Sequence, residues 1–184
     1  PRKGRDVGGY NAAWMDPGGE LLQLFGKHNI SNALAAIALA LSLGIDINDI
    51  KSAVINFPGL PHRCQWIRDL SGVSFYNDSK GTNVGATMAA IEGLGQRITA
   101  HLVLIAGGVA KGADFSSLVP VLNRWAKGLV LIGQDAEAVA SSFHRDISTN
   151  FAIDMQDAVA IAKKKASPGD VVLLSPACAS FDMF

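Results

Sequence analysis

Three short apolar segments, separated by helix-like stretches, constrain the fold of this 184-residue chain more than any other feature. They lie at residues 101–106, 128–132 and 171–174, and each is followed by glycine or serine. Short apolar runs bounded by turn residues are typical of strands buried on both faces of a parallel sheet. Helices between them supply the crossover connections. The sequence therefore predicts an α/β domain with a mainly parallel, Rossmann-like sheet.

The remaining patterns extend this arrangement. A hairpin is expected at residues 65–70 and 73–76 around Ser71-Gly72, and a short apolar strand at 151–153. Helices are predicted at 83–94, 116–125, 136–143 and 155–165, the last capped by Asp154. Upstream, an Ala- and Leu-rich helix at 33–43 ends at Gly44, and residues 46–48 start a second helix at 50–57. Residues 1–25 suggest a turn and a strand or two.

A proline- and glycine-rich break at residues 57–61 divides the chain. Two prolines and a glycine in five residues stop a helix and suit an interdomain linker or hinge. We therefore predict one domain at residues 1–59 and another at 60–184. The chain begins without Met and ends just after a strand and turn, so both ends are expected to be cut.

The composition argues against several classes of protein. The chain has 16 basic and 16 acidic residues, and nucleic-acid binding normally needs a basic surface. No stretch approaches the roughly 20 apolar residues needed to span a membrane. The two cysteines, Cys64 and Cys178, have no CxxC or metal-ligand spacing. They are expected to be reduced thiols, which predicts a cytoplasmic protein.

Two asparagines open the Ala-rich helix. Asn29 and Asn32 are three residues apart and share one helical face. Their amides can both donate to and accept from an adenine edge. Spacing alone favours the simpler interpretation that Asn29 caps the helix.

A polar turn at residues 76–83 is the strongest indication of a ligand site. Asp78 can accept from ribose hydroxyls, Lys80 can neutralise phosphate, and Thr82 can donate to an anion at a helix N-terminus. The alternative is a simple turn and cap, although six polar residues in eight exceed what a turn requires.

Three further positions are candidates. Arg63, beside the linker, can contact a nucleotide, although a lone Arg is more often a surface residue. Lys111 follows Gly107-Gly108 and can bind a carboxylate, but the segment is neither a dinucleotide fingerprint nor a P-loop. Ser180, after the last strand, suits an anion at a helix start.

Five segments, in order, resemble the Mur ligase superfamily, which includes the folylpolyglutamate synthetases. The matching strings are G-x-H-N-x-x-N-x-x-A-A from Gly26, H-R at His62, N-D-S-K-x-T-N from Asn77, G-G-x-x-K-x-x-D-F from Gly107, and L-S-P-A-x-A-S-x-D-x-F from Leu174. The third and fifth strings point to the members that add D-glutamate.

The resemblance implies an ATP-dependent carbon–nitrogen ligase in peptidoglycan precursor synthesis, which adds D-glutamate to UDP-N-acetylmuramoyl-L-alanine through an acyl phosphate. Residues 1–59 would be the end of a central ATP-binding domain, and 60–184 a C-terminal domain truncated at its end. The ATP-binding residues implied are Asn29, Asn32, His62, Arg63, Asp78 and Lys80. The D-glutamate-binding residues implied are Thr82, Lys111 and Ser180.

The resemblance also says what this chain lacks. The phosphate loop, the Mg²⁺ ligands and the catalytic residues of the family lie upstream, so no catalytic residue is assigned and this part alone is expected to be inactive. Three alternatives stay open: another amino-acid-adding Mur or folylpolyglutamate-type ligase, a non-catalytic Rossmann-type binding module, and a hydrolase with Cys178 as nucleophile.

Overall fold

The computed structural model describes residues 27–143 and 147–179, with side chains from Asn29 onward. The chain divides into two compact units, Pro1–Gly59 and Leu60–Phe184. The strands expected within residues 1–25, and Ser180, lie outside the described residues.

The described part of the first unit consists of two helices, α1 (Lys27–Ser42) and α2 (Ile47–Asn56). Because α1 already includes residue 27, Asn29 lies inside the helix and is not its cap, contrary to the simpler interpretation of the sequence. The helix α2 begins at Ile47, within the 46–48 segment expected to start it, because the Asp46 side chain caps it, accepting from the Asn48 N–H at 2.8 Å.

A six-stranded sheet with the order β1-β2-β6-β3-β4-β5 forms the centre of the second unit. The strands are β1 (Gln65–Leu70), β2 (Val73–Asn77), β3 (Leu102–Gly107), β4 (Ala126–Ile132), β5 (Ser148–Phe151) and β6 (Val171–Ala177). Only the β1–β2 pair is antiparallel among the pairs of this sheet. The predicted hairpin and the mainly parallel α/β sheet are therefore confirmed.

Four helices connect these strands: α3 (Val84–Gly95), α4 (Val119–Trp125), α5 (Ala136–Ser141) and α6 (Met155–Lys165). The single helix predicted at 116–125 begins instead as a 3₁₀ turn, Ser116–Leu118. Pro120 then lies in the first turn of α4, where its missing N–H costs no helical hydrogen bond. The helix α5 ends two residues before the predicted end.

The central strands form the core. Leu104, Leu129 and Leu173, on β3, β4 and β6, have no exposed surface. On one face, the small side chains of Ala158 and Ala162 let α6 pack closely against the sheet. Burial on both faces explains why these three strands were recognisable as nearly pure apolar runs.

The position predicted for the fifth strand, residues 151–153, was wrong. The strand β5 is Ser148–Phe151, and Ile153 lies beyond it with 88% of its surface exposed. The Ile153 N–H donates to the Asp157 carboxylate at 3.1 Å and so belongs to the start of α6. As an edge strand, β5 pairs on one side only and does not need a buried apolar run.

The parallel strands bring three loops to one edge of the sheet. The strands β2, β6 and β3 are neighbours and run in the same direction, so their carboxyl ends at Asn77, Ala177 and Gly107 lie side by side. The loops that follow them carry the polar motifs of the sequence. In open α/β sheets this edge is where ligands bind.

Candidate functional site

An open cleft of about 720 Å³ lies where these loops meet. Its lining comes from the loops after β2, β3 and β6 and from the start of α3: Thr82, Asn83, Val84, Gly85, Val109, Ala110, Lys111, Ala113, Asp114, Ala177, Cys178 and Ala179. Two of the three predicted D-glutamate residues, Thr82 and Lys111, therefore share one cleft although they are far apart in sequence. The third, Ser180, follows the last lining residue.

The start of α3 forms one wall. Asn83 caps the helix, and its side-chain oxygen accepts from the Ala86 N–H at 2.9 Å. Thr82 is exposed immediately before this cap. A hydroxyl beside a helix N-terminus provides donors and a favourable field for a carboxylate.

The loop after β3 forms the opposite wall and carries Lys111. Lys111 is exposed and has a left-handed backbone conformation, with φ at 49°. Several hydrogen bonds hold this loop. Val109 and Ala179 exchange backbone hydrogen bonds of 2.8 and 3.2 Å, and the Ala110 N–H donates to the Asp135 carboxylate at 2.7 Å. Sequence reasoning missed Asp135, which lies in the polar turn after β4 at the same edge of the sheet.

Gly107 and Gly108 pack closely against neighbouring backbone at the edge of the cleft. Both have positive φ, at 126° and 123°. A Cβ on Gly107 would lie 1.9 Å from the Ile132 carbonyl oxygen, and one on Gly108 would lie 2.4 Å from that of Ala179. The absent side chains therefore let β3 meet its neighbours at the edge of the cleft.

Asp78 is the buried centre of the turn after β2. Its side chain is 7% exposed, and its two carboxylate oxygens accept from the Cys64 N–H at 3.1 Å and the Ser175 hydroxyl at 2.7 Å. Burial raises the pKa of Asp78, while these two hydrogen bonds and the Arg63 charge act in the opposite direction. Burial, together with the nearby Asp78 carboxylate, also raises the pKa of Cys64 to about 12, so this thiol is a poor nucleophile.

The four residues of the second unit predicted to bind ATP lie around this turn. The Lys80 N–H donates to the His62 carbonyl at 3.1 Å, and the Asn77 amide Nδ2 donates to His62 Nδ1 at the same distance. His62, Arg63 and Lys80 are exposed, whereas Asp78 is buried. The structure thus groups the exposed imidazole, guanidinium and ammonium side chains of these residues around the one buried carboxylate.

The two asparagines predicted to bind adenine lie in the first unit, on α1. Asn29 is half-buried and Asn32 is exposed, one turn further along the helix. Their shared face, predicted from the spacing, follows from the helix.

Other kinds of site find less support in the described part of the chain. It contains no group of three His, Cys, Asp or Glu side chains that could hold a metal ion. A ligand set for the expected Mg²⁺ is therefore not found among these residues. Cys178 lines the cleft but is only 2% exposed. Within the same residues, the helices are too short or too polar to cross a bilayer.

The fold and the cleft define an α/β domain with a ligand-binding cleft at the carboxyl edge of a mainly parallel sheet. Residues 62–178 match the family described as the Mur ligase, glutamate ligase domain, and the chain belongs to the Mur ligase family.

Curated relatives are more specific. Over 165 residues the chain is 51% identical to the UDP-N-acetylmuramoylalanine--D-glutamate ligase of Legionella pneumophila strain Lens, covering 90% of this chain and 37% of the relative. It is 47% identical over 180 residues to the ligase of the same name from Hahella chejuensis, covering 95% and 40%. The chain therefore spans well under half the length of these relatives.

Solved structures show the same fold. Folylpolyglutamate synthase from Mycobacterium tuberculosis, complexed with ADP and AMPPCP, matches with a TM-score of 0.69 at 19% identity, over 85% of this chain and 39% of that one. MurF from Acinetobacter baumannii matches with a TM-score of 0.63 at 21% identity, over 83% and 35%. At these identities the likeness concerns the fold alone.

Proposed function

We propose that this chain is part of an ATP-dependent ligase that adds D-glutamate to UDP-N-acetylmuramoyl-L-alanine, and that its second unit binds the D-glutamate. The strongest support is that Thr82 and Lys111 line one cleft at the carboxyl edge of the sheet. Relatives that share about half of its residues are named as ligases for this amino acid.

The cleft suits a dicarboxylic amino acid. Lys111 provides an ammonium group for one carboxylate, and Thr82 provides a hydroxyl beside the N-terminus of α3. Ser180, the residue after Ala179 in the sequence, is proposed to contact the second carboxylate. Together these groups would hold the D-glutamate amine in one orientation.

ATP is proposed to contact the exposed residues around the Asp78 turn. Lys80 and Arg63 carry the positive charge that phosphates require, and His62 is bonded into the same turn. Asn29 and Asn32 are proposed to contact the adenine. Asp78 remains a proposed ribose contact, although both of its carboxylate oxygens already accept internal hydrogen bonds.

The proposed reaction forms an amide through an acyl phosphate. ATP phosphorylates the L-alanine carboxylate of the UDP-sugar, the D-glutamate amine attacks the activated carbonyl, and phosphate leaves as the tetrahedral oxyanion collapses. Positioning and neutralisation of charge contribute most of the catalysis in such transfers. On this proposal, the cleft and the Asp78 turn orient D-glutamate and ATP, and their residues do not themselves take part in bond making or breaking.

The first unit is proposed to be the end of a central ATP-binding domain. Leu39 and Leu43 on or just after α1 are 67% and 79% exposed, as expected of a helix that packs against further elements in a longer protein. The part upstream is proposed to hold Mg²⁺ and the phosphate loop, and the enzyme is proposed to work in the cytoplasm.

Phosphate release by the full-length parent chain tests the proposal. With ATP, Mg²⁺ and UDP-N-acetylmuramoyl-L-alanine, we expect release with D-glutamate and none with L-glutamate. Lys111→Ala should raise the KM for D-glutamate by about 10- to 100-fold, since it removes one charged hydrogen bond.

The matched control is Lys163→Ala, because Lys163 is an exposed lysine in the last turn of α6 and does not line the cleft. It should leave all kinetic constants unchanged. Release with neither glutamate isomer, from a folded parent that binds ATP, would contradict the D-glutamate assignment and favour another ligase of the family.

A further inference from the structure

Three buried polar side chains connect the turn after β2 with β6 and α3. Asp78 is 7% exposed, and Thr87 and Ser175 have no exposed surface. The Ser175 hydroxyl donates to Asp78 Oδ2 at 2.7 Å, and its oxygen lies 2.8 Å from the Thr87 hydroxyl. Thr87 Oγ1 also lies 3.2 Å from the Gly81 carbonyl oxygen, so its single proton is directed to the Ser175 oxygen, to this carbonyl oxygen, or between the two. We call Asp78, Thr87 and Ser175 the buried triad.

The backbone of the turn closes around the buried triad. The Gly81 N–H donates to the Asp78 carbonyl at 2.7 Å, and the Ala177 N–H donates to the Gly81 carbonyl at 2.8 Å. A Cβ on Gly81 would lie 2.4 Å from Asp78 Oδ2 and 2.5 Å from the Ser175 hydroxyl. The turn therefore has one packed arrangement, in which the triad fixes the position of Gly81.

We propose that Ser175 and Thr87 are positioning residues. Through Asp78 and Gly81, they hold the turn after β2, which carries the proposed ATP contacts, in a fixed position relative to the proposed D-glutamate cleft. The inference rests on the proposed function and deepens it. It assigns a role to Thr87, which lies outside the matched motifs, and to Ser175, which belongs to the fifth motif but was given no role there.

Chain geometry explains why one network controls both sites. Lys80 immediately precedes Gly81 and Thr82 immediately follows it, so a shift of Gly81 displaces a proposed ATP contact and a proposed D-glutamate contact together. Ser175 lies two residues before Ala177, which bonds to Gly81 and lines the cleft. Reactions between two bound substrates are sensitive to misplacement by about 1 Å.

The buried environment makes the network sensitive to single changes. Removing one hydroxyl from a buried network takes a hydrogen bond from its partner, and a buried polar group that loses its partner is costly. Removing the Ser175 hydroxyl leaves Asp78 Oδ2 in this state. Removing the Thr87 hydroxyl takes away the donor that reaches the Ser175 oxygen and a second donor to the Gly81 carbonyl, which keeps its hydrogen bond from the Ala177 N–H.

Steady-state kinetics of the full-length parent chain test the proposal. Ser175→Ala should raise the KM for ATP and the KM for D-glutamate by about tenfold each, the loss expected for one charged hydrogen bond. The KM for the UDP-sugar should stay unchanged. Thr87→Val, which keeps the side-chain shape, should show the same pattern, and Thr87→Ser, which keeps the hydroxyl, should retain most of the wild-type behaviour.

Ser74→Ala is the matched control. The Ser74 hydroxyl also donates to a carboxylate, that of Asp69 at 2.6 Å, but near the amino end of β2. It should leave both KM values unchanged. A purely structural role for the triad predicts less folded enzyme, which lowers kcat and leaves every KM unchanged, so that result overturns the inference.

Each remaining outcome of these kinetic measurements also supports or overturns the inference. A rise in only one of the two KM values would mean that the triad serves one site and would overturn the coupling. If the wild-type parent shows no D-glutamate-dependent phosphate release, the proposed function fails and this inference fails with it. An active wild type with unaffected Ser175→Ala and Thr87→Val overturns this inference alone.

Discussion

The carboxylate of Asp135 accepts a hydrogen bond from the backbone N–H of Ala110 at 2.7 Å, one residue before Lys111. The Asp135 N–H also donates to the Gly108 carbonyl at 3.1 Å. Asp135 thus bonds to the loop at two points, and neither involves the Lys111 side chain. The turn after β4 therefore holds in place a loop that lines the cleft.

If the cleft binds D-glutamate as proposed, loss of the Asp135 carboxylate should weaken that binding. In the full-length parent, Asp135→Ala should raise the KM for D-glutamate about five- to tenfold, because the Ala110 N–H loses a charged acceptor. The KM for ATP should not change. Asp135→Asn keeps an acceptor oxygen and serves as the control, with a smaller rise. Equal KM values in wild type and Asp135→Ala would show that the loop keeps its position without this contact.

Gly107 should tolerate no side chain. Gly107→Ala places a Cβ against the Ile132 carbonyl at 1.9 Å and should cost more than about 3 kcal/mol of unfolding free energy. Gly112→Ala is the control, since Gly112 also has positive φ, at 72°, but has nothing within 4 Å of the added Cβ. It should cost only about 1 kcal/mol. Urea unfolding measures both, and similar losses would contradict the clash.

Acid should destabilise the second unit partly through Asp170, which is 3% exposed at the far end of the sheet from the cleft. Burial alone would raise the pKa of Asp170, but the Lys127 ammonium and the N–H groups of Ser167 and His101 outweigh it and hold the pKa below its usual value. A lowered folded pKa stabilises the fold above the unfolded value of about 4, and this stabilisation is lost as the pH falls through the folded pKa.

Asp170→Asn should therefore lower stability at pH 7 by about 2–4 kcal/mol and flatten the acid side of the stability curve. Thermal unfolding between pH 7 and pH 3 measures both effects. Glu137→Gln, an exposed position on α5, is the control for removing one negative charge and should change little. Parallel acid curves for wild type and Asp170→Asn would rule out this contribution.

Residues 60–184 should fold without residues 1–59. The complete sheet and its buried strands lie within this range, whereas 57–60 is neither helix nor strand. We expect limited proteolysis of the 184-residue chain to cut first near residues 57–61, and the isolated 60–184 segment to unfold in one cooperative thermal transition. Early cleavage within the sheet would disprove the assignment of this range as the stable unit.

The sequence predicted best those elements whose cause is local. Both ends of α6 were predicted correctly because Asp154 caps its start, accepting from the Asp157 N–H at 2.7 Å, and three lysines suit its last turn. The fully buried strands were recognisable from their apolar runs. The edge strand β5 was misplaced because Ile153, although apolar, belongs to the approach to α6.

Contacts between distant segments were beyond the reach of the sequence. The bond from Ser175 to Asp78 joins residues 97 positions apart, and no local pattern marks it. The packing requirement at Gly107 could not be recognised for the same reason, because its close neighbour, Ile132, belongs to another strand. Asp135 did carry a signal, since Gly133-Gln134-Asp135 is a polar turn directly after a buried strand.

All the residues that line the cleft, from Thr82 to Ala179, belong to a single unit of the chain. On the proposed function, replacing residues 60–184 with the matching segment of a family member that uses another amino acid would exchange the amino-acid preference together with the proposed ATP contacts His62, Arg63 and Lys80. Recombination at the 57–61 linker would then be a simple way for evolution, or for a protein engineer, to change which amino acid such a ligase adds.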